Sequence, residues 1–164
     1  MTDRTTHILD AAAGLFAQHG VNAVGMGEVA RAAGCSRATL YRYFADRHEL
    51  HRAFVHREAR RIGALVAEET SEVTDAVLAA VRHVRAAPAL LAWFGAADAG
   101  TTAVLAQSSE VVEGLGLTAV GDEAAARWLV RVIVSLLIVP GRDETEERAL
   151  VERFVVPGLT GVRR

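Results

Sequence analysis

The sequence predicts an all-α fold, with a three-helix head joined by a linker helix to an all-helical body. Composition points that way first: Ala, Leu, Val, Arg and Glu dominate, aromatics are scarce, and only three prolines occur in 164 residues. Most of that set favours helix over strand. Apolar residues also recur at helical spacing along most of the chain, and no stretch sustains the alternation of a half-buried strand. Glycines and prolines cluster between those periodic stretches, where turns belong.

The first predicted helix covers residues 3–19, with Ile8, Ala12, Leu15 and Phe16 on one face and Gly20 at the capping position. Gly14 lies inside it and is expected to let another helix approach closely. A second, short helix runs from Gly25 to Ala33, where Met26, Val29, Ala30 and Ala33 share a face, and Gly34 ends it. Ser36 is a good N-cap for a third helix that carries Leu40 and Phe44 as an inward i, i+4 pair. The fourth, about 46–67, opens at Asp46 with Glu49 at capping-box spacing. Beyond residue 70 the expected helices are roughly 71–86, 88–99, 101–114, 122–139 and 143–156. They are separated at Pro88, Gly100, Gly114 to Gly121, Pro140-Gly141 and Pro157-Gly158. Residues 1–48 are therefore read as the head and 49–164 as the body, with the fourth helix as the link.

Charge is unevenly divided. Residues 1–61 hold nine Arg and six Asp or Glu, a balance of +3, whereas residues 62–164 hold nine Arg against 14 acids, a balance of −5. A basic head on an acidic body suits a chain that meets a polyanion at one end. The N-terminus is polar, and the most hydrophobic stretch, Leu129 to Val139, contains Arg131 and falls short of the roughly 20 residues that span a bilayer. No membrane association and a cytoplasmic location are expected. One cysteine, Cys35, rules out an internal disulfide and is read as a small buried hydrophobe. His48, His51 and His56 recur along the fourth helix without a supporting carboxylate or thiol, so a solvated helix face is expected and no metal. No nucleotide loop, HExxH, GxSxG or paired catalytic carboxylate is visible, which argues against an enzyme and against any cofactor.

The stretch from Glu28 to Phe44 is the specific part. Two short helices joined through a glycine turn make a helix-turn-helix, whose second helix lies in the DNA major groove. Ala30 is small where the helices must cross, and Gly34 supplies positive φ. Arg37 and Arg42 are long donors suited to guanine O6 and N7, while Thr39, Tyr41, Tyr43 and Arg47 can reach phosphates.

Residues 5 to about 65 resemble the DNA-binding domain of the TetR (tetracycline-repressor) family. The resemblance runs through Ile8-Leu9-Asp10-Ala11-Ala12, Leu15-Phe16, His19-Gly20, Val29-Ala30, Ala33-Gly34-Cys35-Ser36, Thr39-Leu40-Tyr41, Tyr43-Phe44 and Arg47-His48-Glu49-Leu50. It implies a homodimer on operator DNA, usually a repressor released by a small-molecule effector. Thr39 and Tyr41 match positions that touch the DNA backbone; Arg37, Ala38 and Arg42 match variable positions that read bases. Arg47 stands where the family most often has lysine, and Tyr43 where it has Tyr or His. Gly25 departs from the family's usual threonine, and the body is short for the family.

For the body, His83, Trp93, Phe94 and Trp128 are the candidates to meet a small apolar effector. The helix 122–139 is apolar on two sides. Trp128, Val132, Ser135 and Val139 form one stripe; Leu129, Ile133, Leu136 and Leu137 form another. A helix apolar on two sides must bury both, so Trp128, Val132, Ser135, Leu136 and Val139, with Phe154 from the last helix, are expected at a two-fold interface. The alternative reading has the body receive a protein partner in place of a small molecule.

Overall fold

The computed structural model describes residues 3–96, 108–115 and 123–160. Among them are helices and turns only. The helices are α1 (Arg4–His19), α2 (Met26–Ala32), α3 (Arg37–Tyr43), α4 (Arg47–Glu69), α5 (Val73–Arg85), α6 (Pro88–Ala96), α7 (Ser109–Gly114), α8 (Glu123–Ile138), α9 (Glu144–Leu150) and α10 (Val156–Thr160). A 3₁₀ turn (Val21–Ala23) comes after α1, and a π turn (Val151–Val155) joins α9 to α10. The expected helix at 101–114 lies in its first part outside the described residues, as do residues 97–99 of the one before it.

Contacts group the chain into two compact units. One holds the residues up to Glu58 with Ala87–Ala96; the other holds Ala59–Ala86 and the described residues after Ala96. In the first, Ile8, Ala12 and Phe16 of α1 are fully buried, and the Phe16 ring meets Phe54 of α4 edge-to-face at 5.3 Å. Arg57 closes the side of this unit, donating to the Asp10 carboxylate at 2.6 Å and to Glu58 at 3.0 Å. Trp93 and Phe94 also belong here. Helix α6 packs on α1 and on the 3₁₀ turn, and Trp93 is buried with its ring 5.4 Å from that of Phe94. Gly20 takes φ 76°, as its capping place requires. Gly14 is a correction: nothing lies within 4 Å of where its β-carbon would stand, so it faces open space and admits no second helix.

In the second unit α8 packs on α5, burying Leu129, Val130 and Ile133 against Val77, Val81 and their neighbours. Burial of such aliphatic side chains, at about 25 cal/mol per Å² of apolar surface, is the main driving term. Helix α4 reaches this unit in its C-terminal half, where Gly63 meets α7 backbone to backbone. A β-carbon at Gly63 would press on the Gly114 carbonyl and come within 2.9 Å of the Leu115 Cα. An ion pair between buried Glu147 and the more open Arg85 holds the turn before α9. Arg85 donates from Nη1 to Glu147 Oε2 at 2.9 Å and from Nη2 to Oε1 at 2.6 Å, and Nη2 also reaches the Leu136 carbonyl. Glu147 accepts from Gly141 N–H as well. Arg85 and this N–H hold the Glu147 carboxyl below its ordinary pKa, against the opposing effect of burial.

The last helix does not stop at Pro157-Gly158 as its composition suggests. In the π turn the Val156 N–H bonds to the Val151 carbonyl, five residues back. The backbone stays helical from α9 through this turn into α10, so Pro157 lies inside a continuous helical run, directly after the widened turn.

Candidate nucleic-acid interface

The helix-turn-helix is assembled by short-range contacts. The glycine box at Gly25 closes from one side only: Glu28 accepts from the Gly25 N–H at 2.8 Å, so an orphan donor at the start of α2 is satisfied without a hydroxyl. The turn out of α2 uses Gly34 at φ 59°, with Gly34 N–H on the Arg31 carbonyl and Cys35 N–H on the Ala30 carbonyl. Ala30 is buried at the crossing, where a larger side chain has no room. Ser36 Oγ then accepts from Thr39 N–H at 3.0 Å and lies 2.9 Å from the Thr39 hydroxyl, which caps α3. Leu40 and Phe44 are buried beneath it.

What α3 leaves outside is a mixed aromatic and cationic surface. Arg37, Ala38, Arg42, Tyr41 and Tyr43 are all exposed, the tyrosines at 49% and 42%. Large aromatic residues left that open, beside two arginines, form a surface chemically suited to stacking and to donating hydrogen bonds to phosphates and base edges. Thr39 is half-buried, its hydroxyl engaged with Ser36. Arg47, at the start of α4, is exposed overall, but Nη2 donates to the Val21 carbonyl at 2.6 Å and Nε points to His51 Nε2 at 3.4 Å. It ties α4 to the 3₁₀ turn.

His51 departs from the expected solvated face. Its ring packs edge-to-face on Phe16 at 5.2 Å. Burial first, then the nearby charges of Arg47 and His48, lower its pKa to about 4. It is therefore neutral near pH 7 and able to accept from Arg47. Among the described residues no three of His, Cys, Asp or Glu converge as metal ligands. Cys35 is half-buried rather than buried.

The four effector candidates have different surroundings. Trp93 and Phe94 pack together in the first unit, whereas His83 bonds to Glu69, at the end of α4, at 2.6 Å. Arg82 bonds to the same carboxylate. Trp128 opens onto a groove of about 400 Å³ together with Arg131, Val132, Ser135, Leu136, Leu150 and Phe154. Along α8 the two stripes largely separate, although Leu137 of the inner one is half-exposed. Leu129, Ile133 and Leu136 are buried within the chain, while Trp128, Ser135 and Val139 are exposed and Val132 half-exposed. Val139 and Phe154 are the most open, at 72% and 62%. Leu136 thus forms the floor of the groove rather than its rim. Sequence reading missed the Arg85–Glu147 pair and the Glu69 cluster, because nothing in a lone Arg or Glu marks a partner on a distant helix. It also passed over Gly27, whose signal was available: a glycine inside a seven-residue helix.

Comparison with known proteins agrees with this geometry. Residues 8–54 match the family described as bacterial regulatory proteins, tetR family. An uncharacterized HTH-type transcriptional regulator of Mycobacterium tuberculosis, Rv1255c, is 44% identical over 169 aligned positions, covering 93% of this chain and 84% of that one. Among solved structures, the TetR family repressor AlkX from Dietzia sp. strain DQ12-45-1b aligns with a TM-score of 0.69 at 20% identity, over 96% of this chain and 98% of that one. A TetR transcriptional regulator from Rhodococcus sp. RHA1 aligns at 0.63 and 24%, over 98% and 97%. Such low identities speak for the fold, and the mycobacterial relative for the family. With an exposed, capped recognition helix and this kinship, the chain belongs to the TetR family of DNA-binding transcriptional regulators.

Proposed function

We propose that the protein is a homodimeric repressor that reads a two-fold operator through α3 and is released by a small apolar effector in its body. The observation that carries the reading is the outward set Arg37, Tyr41, Arg42 and Tyr43 on a helix capped by Ser36. Arg37 and Arg42, with Ala38 between them, address base edges; Thr39, Tyr41, Tyr43 and Arg47 address phosphates. Residues 1–48 serve as the DNA-binding part and 49–164 as the regulatory and dimerising part.

The dimer reading rests on the exposed stripe Trp128, Val132, Ser135 and Val139 with Phe154. An apolar surface of this kind on one chain marks an association site, and an isologous contact of α8 and α9 with their symmetry mates would cover it. Two recognition helices would then be about 34 Å apart, one turn of DNA. Helix α4 carries the effector signal in this scheme: it is one continuous helix, its end pinned through Glu69 to Arg82 and His83 of α5. An effector releases DNA only if it binds the non-binding arrangement more tightly.

The test is selection of fragments from a random-sequence DNA pool by the purified protein, paired with light scattering on the free protein. A palindromic consensus and a mass of twice 17.5 kDa are expected. Phe154→Asp should shift that mass toward one chain. A monomeric wild type, or a consensus with no two-fold symmetry, would sink the proposal. Thermal-shift screening with apolar compounds separates the effector reading from a protein-partner one, since a bound effector raises the melting temperature.

A further inference from the structure

Gly27 is the second residue of α2, a helix of only seven residues. Glycine is the poorest helix former after proline, and here its backbone freedom is unused. The described glycines with positive φ are Gly20 and Gly34, not Gly27. What glycine supplies at this place is the lack of a side chain. A β-carbon at Gly27 would stand 2.7 Å from Arg37 Nε and 2.9 Å from Cζ, and would collide with Nη2. The guanidinium of Arg37 thus lies in the volume that any other residue at 27 would fill.

We propose that Gly27 is a positioning residue for DNA recognition: it opens a slot on α2 that holds the Arg37 guanidinium in place for a base edge. The proposal rests on the reading of Arg37 as a base-contacting group. Arg37 is exposed and, among the described residues, has no ion pair or hydrogen bond to steer it. Its guanidinium lies instead in the space that a side chain at 27 would take. A guanidinium whose plane is already restrained loses less freedom when it meets guanine O6 and N7 together. The reading surface accordingly extends from α3 onto the first turn of α2. Only the tip of a flexible side chain must move if the slot is filled, so the fold tolerates the change while the position of Arg37 does not.

Gly27→Ala separates these consequences. Wild type, Gly27→Ala, Arg37→Ala and the double variant are each titrated, as full chains, against a fragment recovered by wild-type selection and against a scrambled fragment. Melting temperatures are recorded alongside. Gly27→Ala is expected to melt at or above wild type, as better helix propensity dictates. It should bind the selected fragment about tenfold more weakly, within the range for one lost bidentate contact, and the scrambled fragment equally well. In the Arg37→Ala background it should add no further loss, the signature of two residues acting through one contact. Unchanged affinity for Gly27→Ala would overturn the proposal. So would an equal loss in both backgrounds, with or without a fall in melting temperature, because Gly27 would then act without Arg37. If wild type selects no sequence at all, or Arg37→Ala binds normally, the base-contacting role of Arg37 has failed and the slot has no recognition function.

Discussion

Around α3 most polar contacts close over three residues: Glu28 to Gly25, Ser36 to Thr39, and Asp46 to Glu49 at 2.8 Å; Arg47 to the Val21 carbonyl is the longer one. Around the C-terminal end of α8 the corresponding work falls to Arg85 and Glu147, 62 positions apart, and on a neighbouring side to Arg148 and Asp75, 73 positions apart. Locally closed contacts form with little loss of chain entropy, whereas pairs that bridge such spans form only when the surrounding helices have already packed. The exposed face of α3 is therefore specified mainly by near neighbours in the chain. The groove beside Trp128 and Phe154 is specified by the tertiary structure as a whole.

That contrast can be broken most forcefully at Glu147. Glu147→Ala strands the partly exposed Arg85 and the Gly141 N–H, and should lower unfolding stability by about 3 kcal/mol, the upper end for leaving hydrogen-bonding partners unsatisfied, measured by urea denaturation at pH 7. The same pair sets an acid limit. The folded pKa of Glu147 is lowered by Arg85, so its contribution is complete above the unfolded value of about 4.3. It disappears as pH falls through the lowered folded value. The stability gap between wild type and Glu147→Gln, read from urea midpoints, should narrow as pH falls from about 5 to about 2, across the carboxylate range. A gap independent of pH would show that the ion pair is not what Glu147 contributes.

A smaller effect is expected where α4 crosses α7. Gly63→Ala forces two backbones apart at the Gly114 carbonyl and should cost about 2 kcal/mol, the middle of the range for overpacking. No loss by urea denaturation would mean that the crossing is looser than its geometry implies. The least effect belongs to the locally closed surface. Ser36→Ala removes one cap and should cost about 1 kcal/mol, with the remaining α3 contacts intact by amide exchange. A loss as large as that of Glu147→Ala would erase the distinction between the two regions.

The same distinction explains what could be read from the sequence. Gly34, Ser36, Leu40 and Phe44 announce their roles through nearest neighbours, and the structure places each as the pattern demands. The double stripe of α8 was visible as periodicity. The stripe expected on the outside, Trp128, Val132, Ser135 and Val139, is the open one, whereas Leu136, expected beside it, is buried, because its place depends on packing against distant helices. Trp93 reads as a body aromatic by position in the chain, yet α6 returns to pack on α1. Pro157 reads as a stop signal, yet the helix runs on through it behind a π turn.

The π turn carries an implication for how this chain tolerates length changes. A wide turn amounts to one residue more than an α-helix needs, so the segment stores a single-residue shift of about 100° between the helix before it and the helix after it. Deleting one residue between Val151 and Val155 would leave an unbroken helix of better regularity but would swing Leu159 and its neighbours around the axis. It would also set Pro157 in regular α geometry, where its ring clashes with the carbonyl four residues back. A deletion that looks like a repair is the one this terminus is least able to absorb.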